Sequence, residues 1–111
     1  MTPFTIISFY TPDFAHFASD LRADCARLGY PYEIVEIPAS GTLVDTWDRK
    51  VDFIGKAIER LGTVLWLDVE CRLLAPIPSE WRPPLTSTFP MGRSQPVSTG
   101  VLLLDLSLIH I

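Results

Sequence analysis

Apolar positions along this chain alternate between strand-like runs and helix-like stripes. Phe4-Thr5-Ile6-Ile7-Ser8-Phe9-Tyr10 is rich in β-branched and aromatic residues and follows Pro3, which predicts a first strand. Thr11-Pro12-Asp13 is a turn with helix-start chemistry. Phe14, Phe17, Ala18, Leu21, Cys25 and Leu28 then recur at helical spacing, with Asp20, Arg22, Asp24 and Arg27 mostly on the other face. This predicts a helix over residues 13–28, ended by Gly29, with the Phe14/Phe17 pair in the core. Tyr32-Glu33-Ile34-Val35-Glu36-Ile37 reads as a second strand, broken by Pro38-Ala39-Ser40-Gly41. Val51, Ile54, Ile58 and Leu61 mark the buried stripe of a second helix over residues 46–61, stopped by Gly62.

The next run, Val64-Leu65-Trp66-Leu67-Asp68, is apolar on both faces until its last residue. Such a strand belongs inside a sheet covered by helices on both sides. The order β-α-β-α-β predicts an α/β fold with right-handed crossovers and a mostly parallel sheet. After Glu70 the texture changes. Leu73–Pro78 is extended, and residues 81–96 are rich in Pro, Ser and Thr, so an irregular stretch or a short strand is expected there. Val97–Asp105 is a polar turn leading into another apolar strand, whose edge is expected to be uncovered. Trp66 is expected in the core with its indole N–H satisfied locally, and Trp81 is a candidate for a surface or ligand contact.

Composition narrows the class. With 111 residues, 48% hydrophobic and 20% charged, the chain is globular and has room for one small domain. A net charge of −4, with no run of more than two adjacent basic residues, argues against nucleic acid as a partner. Cys25 and Cys71 lie far apart and in no CxxC motif, which reads as two reduced thiols. No apolar run approaches the ~20 residues of a membrane helix, and no signal core follows the N-terminus, so a cytoplasmic protein is expected.

The candidate chemistry sits at the end of the third strand. Open α/β sheets bind ligands outside the carboxyl ends of their strands. Asp68 and Glu70 stand there two residues apart, and alternate residues of an extended chain point the same way. Two such carboxylates can converge on one hard cation, which could in turn neutralise a diphosphate.

With the acid pair placed in this order of elements, the chain resembles the N-terminal part of a GT-A glycosyltransferase of the nucleotide-diphospho-sugar transferase superfamily. Ile6-Ile7-Ser8-Phe9-Tyr10-Thr11 resembles the family's first strand and the loop that cups the nucleotide base. Trp47-Asp48-Arg49-Lys50 with Phe53-Ile54 resembles the helix before the metal-site strand. Asp68-Val69-Glu70 resembles the DxD metal motif, and Ser98-Thr99-Gly100-Val101-Leu102 the turn that opens the next strand. The triplet departs from the family in ending on Glu70, which keeps the charge but adds a methylene.

The resemblance implies a Rossmann-like (GT-A) sheet, truncated here, and a glycosyltransferase using a nucleotide-sugar donor such as a UDP-sugar, with a glycan or other acceptor. It implies Mn²⁺ or Mg²⁺ as cofactor, ligated by Glu70, with Asp68 touching the ribose and a metal-bound water. Ser8, Phe9, Tyr10 and Thr11 would belong to the nucleotide pocket. Lys50 would reach a phosphate or remain a solvated charge, and Ser98 and Gly100 would face the donor sugar. Two other readings stay open. One is an inactive sugar-nucleotide-binding protein. The other is a nucleotidyltransferase, although Ser8–Asp13 carries no Gly, Lys or Arg to grip a triphosphate.

Leu106-Ser107-Leu108-Ile109-His110-Ile111 matches the in-frame translation of a transposase adaptor used in sequencing-library preparation. Residues 1–105 are therefore expected to form the GT-A part, and residues 106–111 a non-native tail.

Overall fold

The computed structural model describes residues 4–39, 43–77, 81, 83, 85–86 and 101–104. Strand β1 (Thr5–Tyr10) leads through a 3₁₀ turn (Pro12–Phe14) into helix α1 (Ala15–Leu28). Strand β2 (Tyr32–Glu36), helix α2 (Leu43–Leu61) and strand β3 (Val64–Leu67) follow, then β4 (Leu85–Thr86) and β5 (Val101–Leu104). The α/β class and the β-α-β-α-β order match the sequence pattern. Both helix stops are glycines in the left-handed region, Gly29 at φ +80 and Gly62 at φ +86. The Gly62 amide donates to the Ile58 carbonyl at 2.9 Å, closing the last turn of α2.

The sheet order is β2-β1-β3-β5-β4. β1 pairs in parallel with β2 and with β3, while β5 runs antiparallel to both β3 and β4. From β1 the chain crosses one way to β2, then back past β1 to β3. Crossovers of one hand toward opposite sides place their helices on opposite faces of the sheet. On one face α1 lays Ala18, Leu21 and Cys25 over Ile6, Tyr10, Ile34, Leu65 and Leu67. On the other, α2 lays Ile54, Ala57 and Ile58 over Ile7, Val64 and Trp66. β3 is therefore buried along its whole length, as its two-faced apolar run requires.

Several expectations change. The uncovered apolar edge foreseen for Val101–Leu104 does not exist, because Leu85–Thr86 pairs along it. Phe14 is 41% exposed, since it ends the 3₁₀ turn before the helical stripe begins, whereas Phe17 packs on the core. Val51 is 58% exposed and the α2 stripe instead includes Lys50 and Ala57. Trp81, foreseen as a surface or ligand contact, packs against the α1-side core.

Asp24 is the largest departure. Placed by spacing with the polar face, it is fully buried. Its carboxylate accepts from Arg72 Nε at 2.7 Å, Arg72 Nη2 at 3.1 Å, Arg27 Nη1 at 2.9 Å and the Leu73 amide at 2.9 Å. Nearby, Arg27 Nη2 donates to the Leu73 carbonyl at 2.6 Å, and the Ile77 amide donates to the Tyr30 hydroxyl at 2.8 Å. These bonds fasten residues 72–77 to α1 and to the Tyr30 turn that follows it. The Arg72 hydrogen bonds, aided by the Leu73 amide and Arg27, outweigh burial and hold the Asp24 carboxyl well below the usual carboxylate range. Burial pushes the neighbouring Cys25 thiol up to about 11, with the Asp24 charge adding to it.

A carboxylate depressed in the folded state contributes stability that is complete above its unfolded value, about 3.9, and is lost as pH falls toward the folded value. Asp24→Ala is expected to cost about 2 kcal/mol at pH 7, since it leaves the buried Leu73 amide without its acceptor and takes a partner from Arg72 and Arg27. In urea unfolding, the gap between variant and parent should narrow progressively below about pH 4. A constant gap between pH 7 and pH 3 would show that the carboxylate's charge is not what holds the segment.

Candidate functional site

The sheet's topology fixes where a ligand belongs. Strand order reverses between β1 and β3, with the α1 and α2 crossovers on opposite faces, and such a switch point opens a crevice at the strands' carboxyl ends. Thr11 follows β1 and Asp68 follows β3 at that edge. The chain turns there at once, with the Cys71 amide donating to the Asp68 carbonyl at 2.8 Å. Asp68 is left with a side chain 40% exposed, and Glu70 is exposed.

Asp68 is anchored from the α2 side. Its Oδ1 accepts the Trp66 indole N–H at 2.8 Å, a bond between alternate residues on the same face of an extended chain. The same oxygen lies 3.4 Å from Lys50 Nζ, which also stands 5.0 Å from the centre of the Trp66 ring. Lys50 is only 8% exposed, so the solvated-charge reading does not hold. Its stem occupies the stripe position four residues before Ile54. Phe9 meets Trp66 edge-on at 5.1 Å and Phe53 at 5.4 Å, completing an aromatic floor behind the acid. A cleft of about 420 Å³ opens beside this floor between α2 and the end of β2, lined by Phe9, Ile37, Pro38, Arg49, Phe53 and Arg60 among others.

The residues named from the sequence thus divide. Phe9, Lys50 and Asp68 come together around Trp66, which the sequence placed only in the core. Ser8 and Tyr10 point to the opposite face, under α1. Tyr10 is buried, and its hydroxyl and ring both meet Arg22, at 3.3 Å from Nη2 and 5.4 Å from Cζ. Arg22 in turn donates to the Ile34 carbonyl at 2.7 Å. Thr11 is half-buried at the mouth, where its carbonyl accepts from the Phe14 amide at 2.9 Å. Ser98, Gly100 and residues 105–111 lie outside the described residues.

The donor set suits a hard cation in part. Asp68 and Glu70 supply carboxylate oxygens that reach solvent, but among the described residues no three of His, Cys, Asp and Glu gather into a metal-holding group. Two carboxylates suffice where substrate phosphates and waters complete the shell, the usual way Mg²⁺ is held. Cys71 follows the pair and is half-buried. Burial, then the Asp68 and Glu70 charges, push its thiol up to about 11.

A crystal structure of a glycosyltransferase involved in the glycosylation of the major capsid of PBCV-1 is similar to this chain, with a TM-score of 0.69 and 24% identity. The match covers 98% of this chain and 63% of that one, so the chain spans less than two thirds of that protein's length. At this identity the likeness shows the fold. No protein-family model matches the chain, and no curated protein matches it in sequence. Among the described residues, no helix is long and apolar enough to cross a membrane.

Ser8 is fully buried, and its hydroxyl has no hydrogen-bond partner. A buried hydroxyl left unpaired carries a desolvation cost with no return. Ser8→Ala should therefore leave the urea midpoint unchanged or raise stability by about 1 kcal/mol. A loss of stability would reveal a partner for Oγ.

Proposed function

We propose that this chain is the nucleotide-sugar-binding part of a glycosyltransferase. It would hold the donor's diphosphate through a divalent metal, Mn²⁺ or Mg²⁺, at Asp68 and Glu70. The observation that carries this reading is the position of the acid pair, on the turn leaving a central strand at the sheet's switch point, with a buried lysine beside it. The fold likeness to a glycosyltransferase supports it. A UDP-sugar is the donor proposed, and a glycan or another hydroxyl-bearing molecule the acceptor.

The metal, when bound, would supply positive charge to the leaving nucleoside diphosphate as the glycosidic bond breaks. Glu70, exposed on the turn, would ligate it directly, and Asp68 would meet the ribose and the metal's water shell. Lys50 offers a second positive charge from the α2 side. Phe9 gives the cleft an apolar wall, and Thr11 stands at its mouth. A nucleotidyltransferase fits less well, because the tight turn after β1 holds neither glycine nor cation to wrap a triphosphate.

The test is UDP binding by the whole chain, followed calorimetrically with and without Mn²⁺. Asp68→Asn is the informative substitution, since an amide oxygen still accepts the Trp66 indole proton. Asp68→Ala would strip both Trp66 and Lys50 of a partner and unsettle the fold as well. Asp68→Asn and Glu70→Ala should each remove the Mn²⁺-dependent part of UDP affinity while thermal unfolding stays cooperative. Unchanged Mn²⁺-dependent affinity in both variants would overturn the assignment.

A further inference from the structure

Lys50 stands in an unusual place for a lysine. It lies on the buried stripe of α2, 8% exposed, with Nζ 3.4 Å from the Asp68 oxygen that also takes the Trp66 indole proton. Its ammonium also lies 5.0 Å from the centre of the Trp66 ring, whose π-cloud favours a cation. An amphipathic side chain held in this way has a fixed stem and a charged head beside the half-exposed Asp68. Asp68 therefore already has one positive neighbour before any metal arrives.

We propose that Lys50 is a built-in cation beside Asp68 that a divalent metal with its water shell must push aside, and that then turns to the donor's diphosphate. This deepens the metal-assisted reading above and rests on it. Two cations sharing one carboxylate within a few ångströms repel, so the lysine weakens metal binding while the nucleotide is absent. A diphosphate entering the cleft gives the ammonium a new partner and frees Asp68 for the metal. By reciprocity, whatever the nucleotide does to metal affinity through Lys50, the metal does to nucleotide affinity. Metal and donor are thereby made to bind together, and free metal is held poorly.

The signature is a pair of opposite effects that structural damage does not produce. Lys50→Met keeps the apolar stem and removes the charge. Binding of Mn²⁺ alone, read from loss of the free-ion electron paramagnetic resonance signal, should tighten about tenfold, the order set by one unit charge a few ångströms from a divalent ion in a largely solvated site. UDP affinity at saturating Mn²⁺ should weaken by a similar factor. Lys50→Gln should move both constants in the same directions, which guards against a packing fault in one variant. Mn²⁺ affinity unchanged or weakened in both variants would overturn the displacement proposal and leave the metal site standing. If Glu70→Ala leaves Mn²⁺ uptake by the Lys50→Met chain unchanged, the metal reading itself fails and the proposal with it.

Discussion

Everything at the candidate site hangs from one buried carboxylate far from it. Asp24 draws Arg72, the Leu73 amide and Arg27 into a single cluster, and so ties the segment leaving the acid pair to the first helix. Without that tie the chain beyond Glu70 would leave the sheet with no fixed direction. The turn at Asp68–Cys71 is short, and its geometry is set by what holds each end. One end is β3, buried on both faces. The other is Arg72–Leu73, held at Asp24. A buried ion cluster is a weak source of net stability compared with an apolar replacement, but it fixes one register where greasy contacts would allow several. That use fits a segment that follows directly on the Asp68–Cys71 turn.

The two faces of the sheet carry different work. Under α1 lie Ser8, Tyr10 and Arg22, with the Asp24 cluster alongside, all turned inward or spent on one another. Phe9 and Trp66 lie under α2, and with Lys50 of that helix they lead directly to the half-exposed Asp68. Alternation along β1 and β3 assigns these roles. Residues of one parity meet α1, and those of the other meet α2.

Much of this was legible in the sequence, and the misses share a cause. The β-α-β-α-β frame, both glycine stops and the acid-tipped central strand follow from period and punctuation alone. Asp24 was misjudged, and Lys50 was left open between a phosphate contact and a solvated charge, because charge was taken as a sign of the solvent face. Spacing said otherwise. Asp24 stands three residues after Leu21 and one before Cys25, and Lys50 four before Ile54 and seven before Ala57. A charged residue on an apolar stripe needs a buried partner, and such residues mark special positions. The partners, Arg72 and Asp68, lie 48 and 18 residues away, beyond the reach of any local pattern. Strand β4 was foreseen only loosely, because two residues in a proline-rich stretch form a strand through pairing with β5 rather than through their own propensity. The family resemblance grouped Ser8 and Tyr10 with Phe9, and the strand sends them to the face opposite Phe9.

The order of the contacts along the chain has a consequence for how the protein is made. The bonds named here for Asp24, Trp66 and the Lys50–Asp68 pair all join residues between 24 and 77. Strand β5 joins the sheet later, against an edge of β3 already fixed on its other side by β1. During synthesis from the N-terminus, the parallel core and its acid turn can therefore close before the antiparallel strands emerge. Until they do, the outer edge of β3 is a bare row of backbone donors and acceptors. β5 is the segment that covers that edge.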